Sequence, residues 1–447
     1  MEEQMKLVRE AVEKHRALIL DAERYIWKHP ETGYKEFKTS SYMAKQFEAL
    51  GYTLTYAEGI TGFCTQIDTG REGPEVLLLG ELDSIICPEH PDADPETGAV
   101  HSCGHNAQCA ALLGIAAALR EPALVERLSG RVRLCAVPAE ELLEIEYRAR
   151  LKAEGRIKYF GGKCEFLYRG LFDGVDLALM IHTGHDFRVQ KGSIGCIAKS
   201  ITYRGVASHA GGAPEHGINA LYAATCGINA VNAIRETFRD DDHIRFHPIV
   251  THGGDMVNAI PERVVMESYV RGVSIDAIKA ENRKVNRALT GAALSLGANV
   301  EIVDIPGYSP LYNDGGMMSL AYETLCEALP EVKGVFDAEG MSKGSTDMGD
   351  LGCIMPVVHP YAAGSRGRGH GNDYEICDAE SACVKSAVWQ VAMVMRLLEN
   401  DAARAKRIVA DFCPLFSSKE EFLAHQDSLN DSGDRITYTD DGATVRI

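Results

Sequence analysis

Val76, Leu77, Leu78 and Leu79 follow one another with no polar residue between them. That is the pattern of a strand buried on both faces, as in a parallel sheet covered by helices. The run leads directly into GELDSIICPEHPDADPETGAVHSCGHNAQ at residues 80–108, with Asp83 at the strand's exit. His101, Cys103, His105 and Asn106 gather at the far end of this stretch, just before a helix-like apolar run at 107–119. Ligands of open α/β sheets bind in the crevice at the carboxyl ends of the strands. A metal site is therefore expected here, although a surface loop with incidental Cys and His would give the same local pattern.

Length and charge narrow the field. A chain of 447 residues implies two domains, and 45% hydrophobic content supplies a full core. A net charge of −18 without basic blocks argues against a nucleic-acid partner. The 13 cysteines are scattered with no CxxC pair, and the start MEEQMKLVRE lacks an apolar signal core. No window resembles the ~20 apolar residues of a membrane span. A soluble, cytoplasmic chain without a disulfide framework and without a membrane partner is expected.

Met5, Val8, Val12, His15, Ile19, Ala22 and Ile26 recur at intervals of three and four, which predicts one amphipathic helix over residues 3–27. Thr39 or Ser40 is placed to cap a second helix that Gly51 ends. Strands are expected at 52–56, 63–68 and 75–79, then a helix at 107–120. RVRLCAV at 131–137 alternates as a strand and exits at Pro138, Ala139, Glu140 and Glu141. After the proline the chain can turn both carboxylates toward one cleft; they could equally open a helix and complement its dipole. Leu177, Ala178, Leu179, Met180 and Ile181 form another buried strand and deliver His182. A lone histidine there is usually structural, but a third strand end bearing a ligand-type residue favours one shared edge.

Residues 142–160 are charged and read as an added helix or excursion. From Ser193 the pattern becomes strand 194–204, helix 216–235, strands 244–252 and 262–271, helix 276–296 and strand 299–305. This β-α-β-β-α-β order is that of a ferredoxin-like unit, inserted into a first domain that spans 1–192 and resumes at 308–447. The insertion itself covers 193–307. Helices at 315–328 and 378–398 follow it, with GSTDMGD at 344–350, His370 in a Gly/Arg-rich loop, and a polar, peripheral tail from about residue 414.

Cys103, His105, Glu141, His182 and His370 form a thiolate, imidazole and carboxylate set that suits Zn²⁺ or Mn²⁺. Five donors exceed one tetrahedral site, so two divalent ions sharing a bridge is the simpler arrangement. A water between them has its pKa lowered from about 15.7 toward ~7. Glu140, the carboxylate left over, is the expected general base, a role worth ~10²–10⁴-fold. Asp83 is placed to orient a ligand imidazole from behind.

HPETGYKEFKTS, GELDSI, HSCGHN, PAEE, GGKCEFLYRGLFDGVD, GVASHAGGAPEHGINAL, GGDMVNAIP and GSTDMGD together resemble one family in its own order. It is the di-metal metallopeptidase and amidohydrolase family of aminoacylases, carboxypeptidase G and the hydrolases of hippurate and indole-acetyl-amino acids. GHN and STDMGD are similar to its aminobenzoyl-glutamate hydrolase-like branch. The resemblance implies an α/β fold: a mixed-sheet zinc-peptidase-like catalytic domain with an inserted ferredoxin-like lid and dimerisation domain. It assigns the five donors to the metals and Glu140 to catalysis. His209 matches a histidine that reaches across a homodimer to the scissile carbonyl, and Asn258 and Arg271 match contacts to the substrate's carboxylate. A guanidinium grips a carboxylate bidentately, though Arg271 could equally be a solvated strand residue. Gln108 departs from the pattern, standing where many members carry histidine, and the 142–160 segment is extra.

The function expected is metal-dependent cleavage of an N-acyl or N-aroyl amino acid, a small molecule with a free carboxylate. Dipeptides are the close alternative. A catalytically silent metal-binding relative is the rival, disfavoured because Glu140 and all five donors are present. A structural-zinc protein fits poorly, since such sites close all four positions.

Overall fold

The computed structural model describes residues 2–447, which form two compact units. The first comprises residues up to Gly192, Leu311–Met341 and Asp347–Lys419; the second comprises Ser193–Pro310, Ser342–Thr346 and Glu420–Ile447.

In the first unit a six-stranded mixed sheet runs in the order Thr55–Tyr56, Phe63–Asp68, Arg131–Val137, Glu75–Glu81, Leu177–Leu179, Val357–Val358. The last four strands are parallel, and Phe63–Asp68 joins them antiparallel. Every residue of Glu75–Glu81 is buried, as an unbroken apolar run requires. Helix His105–Ala118, apolar on all sides, is buried throughout. It packs on that strand and against helices Arg16–Trp27 and Ser386–Asp411.

Two local expectations need correction. The helix expected over 3–27 is two, Glu2–Glu13 and Arg16–Trp27. The apolar period survives, with Met5, Val8, Val12, Ile19, Ala22 and Ile26 all buried. His15 leaves helical geometry, however, and its N–H closes a tighter turn on Val12 O at 2.9 Å. The next helix starts at Phe37, and Glu31 caps it by accepting the Lys38 and Thr39 N–H groups at 2.9 and 3.0 Å. Neither Thr39 nor Ser40 does so; Ser40 Oγ accepts the N–H of Gly62 instead. The helix placed at 378–398 opens with a wide turn at Glu380–Lys385 and breaks where Asn400, Asp401 and Ala402 are left-handed. Glu380–Asp411 has the length and apolarity to cross a membrane, but 89% of its most apolar stretch lies buried in the protein.

The second unit carries strands Gly195–Arg204, Arg245–Phe246, Ile249–His252, Arg263–Gly272 and Asn299–Pro306, with helices Ala220–Ile234 and Ile275–Ser295. Pro248 divides the strand expected at 244–252, because it offers no ladder donor. The sheet is antiparallel, with Gly195–Arg204 between Arg263–Gly272 and Asn299–Pro306. Ile201, Tyr203, Met266, Val300 and Leu289 form its core with the two helices.

The tail's first residues stay with the first unit, where the Leu415 and Phe416 N–H groups donate to Cys353 O at 2.9 and 3.1 Å, and from Glu420 the tail belongs to the second unit. Helix Lys419–Ser428 buries Phe422, and Asp431–Asp434 adds a strand to the open edge of Asn299–Pro306. Ile436, 2% exposed, enters the second unit's core. An open sheet edge favours such a covering strand. Ile436→Ala should therefore lower stability by about 2–5 kcal/mol, the usual loss for a buried isoleucine, read as a lower urea midpoint. An unchanged midpoint would put the tail outside the fold.

Candidate metal centre

Four parallel strands end on one edge of the sheet, so the residues that follow them meet. Glu75–Glu81 leads to Asp83, Arg131–Val137 to Glu140 and Glu141, Leu177–Leu179 to His182, and Val357–Val358 to His359. Helix His105–Ala118 begins there too, after Gly104 at φ 84°. A Cβ at 104 would lie 2.5 Å from the Tyr374 hydroxyl, so only glycine fits. Ala139, at φ 56°, makes the turn after Pro138, and its N–H donates to Glu36 Oε1 at 2.8 Å.

Donor atoms of Cys103, His105 and His182 lie within 4.8 Å of one another; so do those of Cys103, Glu141 and His370, and those of His105, Glu140 and Glu141. Cys103 Sγ is 3.5 Å from His182 Nε2, and Glu141 Oε1 is 3.0 Å from His370 Nε2. His182 Nδ1 donates to Thr183 O at 2.8 Å, which turns Nε2 toward the thiol. Asp83 has no exposed surface. Its Oδ1 is 3.3 Å from His105 Nδ1, and its Oδ2 accepts the Glu141 N–H at 2.8 Å.

Burial and Glu141 push the Cys103 thiol up, but His105, His370 and His182 override them and hold it at about 6. Glu141 and Cys103 push His370 up to about 12. Burial opposes ionisation of Glu141, yet His370 and His105 bring it down to about 2. Glu140 goes the other way: burial and the neighbouring Glu81, Glu141 and Asp347 hold its carboxyl well above the usual range. Buried negative charge thus collects where positive charge can neutralise it.

A family model described as peptidase family M20/M25/M40 matches residues 77–396. The chain belongs to this family. It is a hydrolase of the M20 fold. It is 28% identical over 357 residues to a Mus musculus protein named Xaa-Arg dipeptidase, covering 76% of this chain and 74% of that one. It is 27% identical over 331 residues to the indole-3-acetyl-aspartic acid hydrolase of Enterobacter agglomerans, covering 61% of this chain and 71% of that one. Among solved structures, a Bacillus subtilis dinuclear metal binding peptidase of the M20 family aligns with TM-score 0.62 at 20% identity, covering 86% of this chain and 99% of that one.

The donor set of this M20 chain fits divalent ions. His105 Nε2 is buried without a hydrogen-bond partner, and thiolate, imidazole and carboxylate are the ligands such ions take. Gln108, by contrast, uses its Oε1 to accept the Glu81 N–H at 3.3 Å, a structural task. Asn106 donates to Glu23 Oε1 at 2.8 Å; an aspartate there would set two carboxylates face to face.

His209, Asn258 and Arg271 belong to the second unit. His209 and Asn258 are exposed neighbours, linked by the Ala210 N–H to Asn258 O bond at 2.9 Å. Arg271 is partly buried and donates to Ser345 Oγ at 3.0 Å, beside the Tyr269 ring. Four further residues of the edge, Glu81, Lys163, Asp347 and His359, carry no signal in the sequence pattern, although the first three lie within family-like motifs. Their partners are 82–184 residues away, and no local spacing signals such pairings.

Chelator-stripped protein should alkylate at Cys103 with a midpoint near pH 6, followed by peptide mapping against iodoacetamide. Added Mn²⁺ should protect it. A midpoint at the ordinary ~8.5 would contradict the charge arrangement described.

Proposed function

We propose that this M20 hydrolase cleaves the amide bond of an N-acyl or N-aroyl amino acid, with Glu140 as general base. The observation that carries the reading is the pair of donor groups sharing Cys103, with Glu140 set beside them. Cys103, His105 and His182 would hold one divalent ion, and Cys103, Glu141 and His370 a second. Zn²⁺ or Mn²⁺ there supplies Lewis-acid polarisation and a water of lowered pKa.

Glu140 takes the proton of the attacking water and returns it to the departing nitrogen, so that a carboxylic acid and a free amine leave. Its carboxylate neighbours raise its proton affinity, which suits a base. Asp83 fixes the ring of His105 and the main chain of Glu141 from behind. Arg271 and Asn258 bind the free carboxylate of the substrate; in support, Arg271 Nε is buried with no partner.

The second unit pairs two chains into a homodimer. Ile249, Val250, Met256 and Val257 are exposed there, Val257 completely, a concentration of apolar surface that suits a partner. His209 of the partner subunit stabilises the oxyanion. Its Nδ1 accepts the N–H groups of Gly211 and Gly212 at 3.1 and 2.9 Å, so the proton sits on Nε2, ready to donate. Such a donor is worth roughly 2.7–4 kcal/mol. A dipeptide is the second reading, favoured by the name of the mouse relative.

A panel of N-acyl amino acids and dipeptides, given to Mn²⁺- or Zn²⁺-loaded protein, tests the reaction through release of free amine. Glu140→Gln should keep the ions and lose at least ~10²-fold in turnover. Near-normal turnover would remove Glu140 as base, and no turnover on any substrate would favour a silent metal-binding relative. Mixing Glu140→Gln with His209→Ala subunits should restore activity, because one site in each mixed dimer then has both groups. Confirmed exchange without recovery would rule out action across the interface.

A further inference from the structure

Lys163 has no exposed surface, yet it lies among acids of the catalytic edge. Its ammonium donates to Glu81 Oε1 at 2.5 Å and to Asp347 Oδ1, and its main-chain N–H donates to Asp347 Oδ2 at 2.9 Å. Glu81 and Asp347 are also wholly buried. Oxygens of Glu81, Asp347 and Glu140 lie within 4.8 Å of one another. Three carboxylates so spaced would take a divalent ion if the space among them were free.

The chain is built to deliver Lys163 to that place. Gly162 lies so close to the Pro138 carbonyl that a Cβ would sit 1.6 Å from its oxygen. The Gly162 N–H donates to Ala139 O at 3.1 Å. The start of helix Gly162–Tyr168 is thereby stitched to the turn that carries Glu140. A buried ammonium is costly to desolvate unless paired, and here it is paired twice, at a spot where an apolar side chain would leave the acids uncompensated.

We propose that Lys163 is a built-in cation that occupies the place of a third metal ion among Glu81, Asp347 and Glu140, so that Glu140 serves as the base and not as a ligand. Lys163 is a positioning residue: it acts through the two acids it binds and does not touch substrate. The inference rests on the two-ion, Glu140 reading given above.

Metal counting tests both and separates them. Full-length protein is stripped with chelator, loaded with excess Mn²⁺, passed through gel filtration and analysed for retained metal. Wild type should hold two ions per chain, and Lys163→Met three. The variant's kcat should fall roughly 10²-fold with KM little changed, because Glu140 becomes a ligand while the substrate contacts remain. Lys163→Met with Asp347→Asn removes one of the three carboxylates and should return the count to two with partial recovery of kcat. A Lys163→Met protein that holds only two ions overturns the inference, whatever its rate. If that variant does not fold, the wild-type count decides: stopping at two in excess Mn²⁺ supports the inference, and a retained third ion overturns it. Fewer than two ions in wild type overturns the two-ion reading, and the inference with it.

Discussion

Asp83 leaves the central strand fully buried and holds two neighbours, one through its side chain and one through its main chain. Oδ2 takes the Glu141 N–H at 2.8 Å, and the main-chain O accepts from His105 Nδ1 at 3.0 Å, with Oδ1 3.3 Å from the same nitrogen. The first contact fixes the turn after strand Arg131–Val137; the second fixes the first residue of helix His105–Ala118. One aspartate thus ties two neighbouring strand exits and a helix start into a single frame. Loss of the Glu141 bond would leave the buried acid without a hydrogen bond, at a cost of several kcal/mol. Placement of the remaining donors follows from the parallel register, which brings His182 and His359 to the same edge.

That edge was legible in the sequence because every donor but His370 stands at one end of an apolar run. The unbroken run at 76–79 and the alternating 131–137 segment announce strands, and Cys103, His105, Glu140, Glu141 and His182 stand at exits from strands or at the start of a helix. The acids and lysine behind them were not legible. Glu81 is the last residue of a buried strand, Lys163 lies at the start of a seven-residue helix, and Asp347 lies just before a five-residue one. Their pairing is decided by tertiary packing, which periodicity does not report. The same holds for the tail: its polar composition suggests a peripheral segment, but Phe422 and Ile436 are enough to anchor it.

The extra segment at 142–160 is also part of the support for the Glu140–Glu141 turn. Its helix, Ile145–Ala153, buries Arg148. Arg148 Nη1 donates to Phe160 O at 2.7 Å and Nη2 to Glu141 O, with the Tyr34 ring 5.6 Å from the guanidinium. Glu144 accepts bonds from Thr32 and Lys35, each at 2.5 Å, and Tyr34 donates to Tyr159 O. The HPETGYKEF loop, the insertion and the Glu140–Glu141 turn therefore form one connected unit. Through it the insertion carries the chain back to Gly162 and Lys163 beside that turn.

Anomalous diffraction from crystals soaked in Mn²⁺ tests the central claim most directly, since it locates the ions without reference to turnover. Two peaks per chain are expected, one among Cys103, His105 and His182 and one among Cys103, Glu141 and His370. The thiolate should lie between them. A single peak, or peaks that avoid Cys103, would contradict the account.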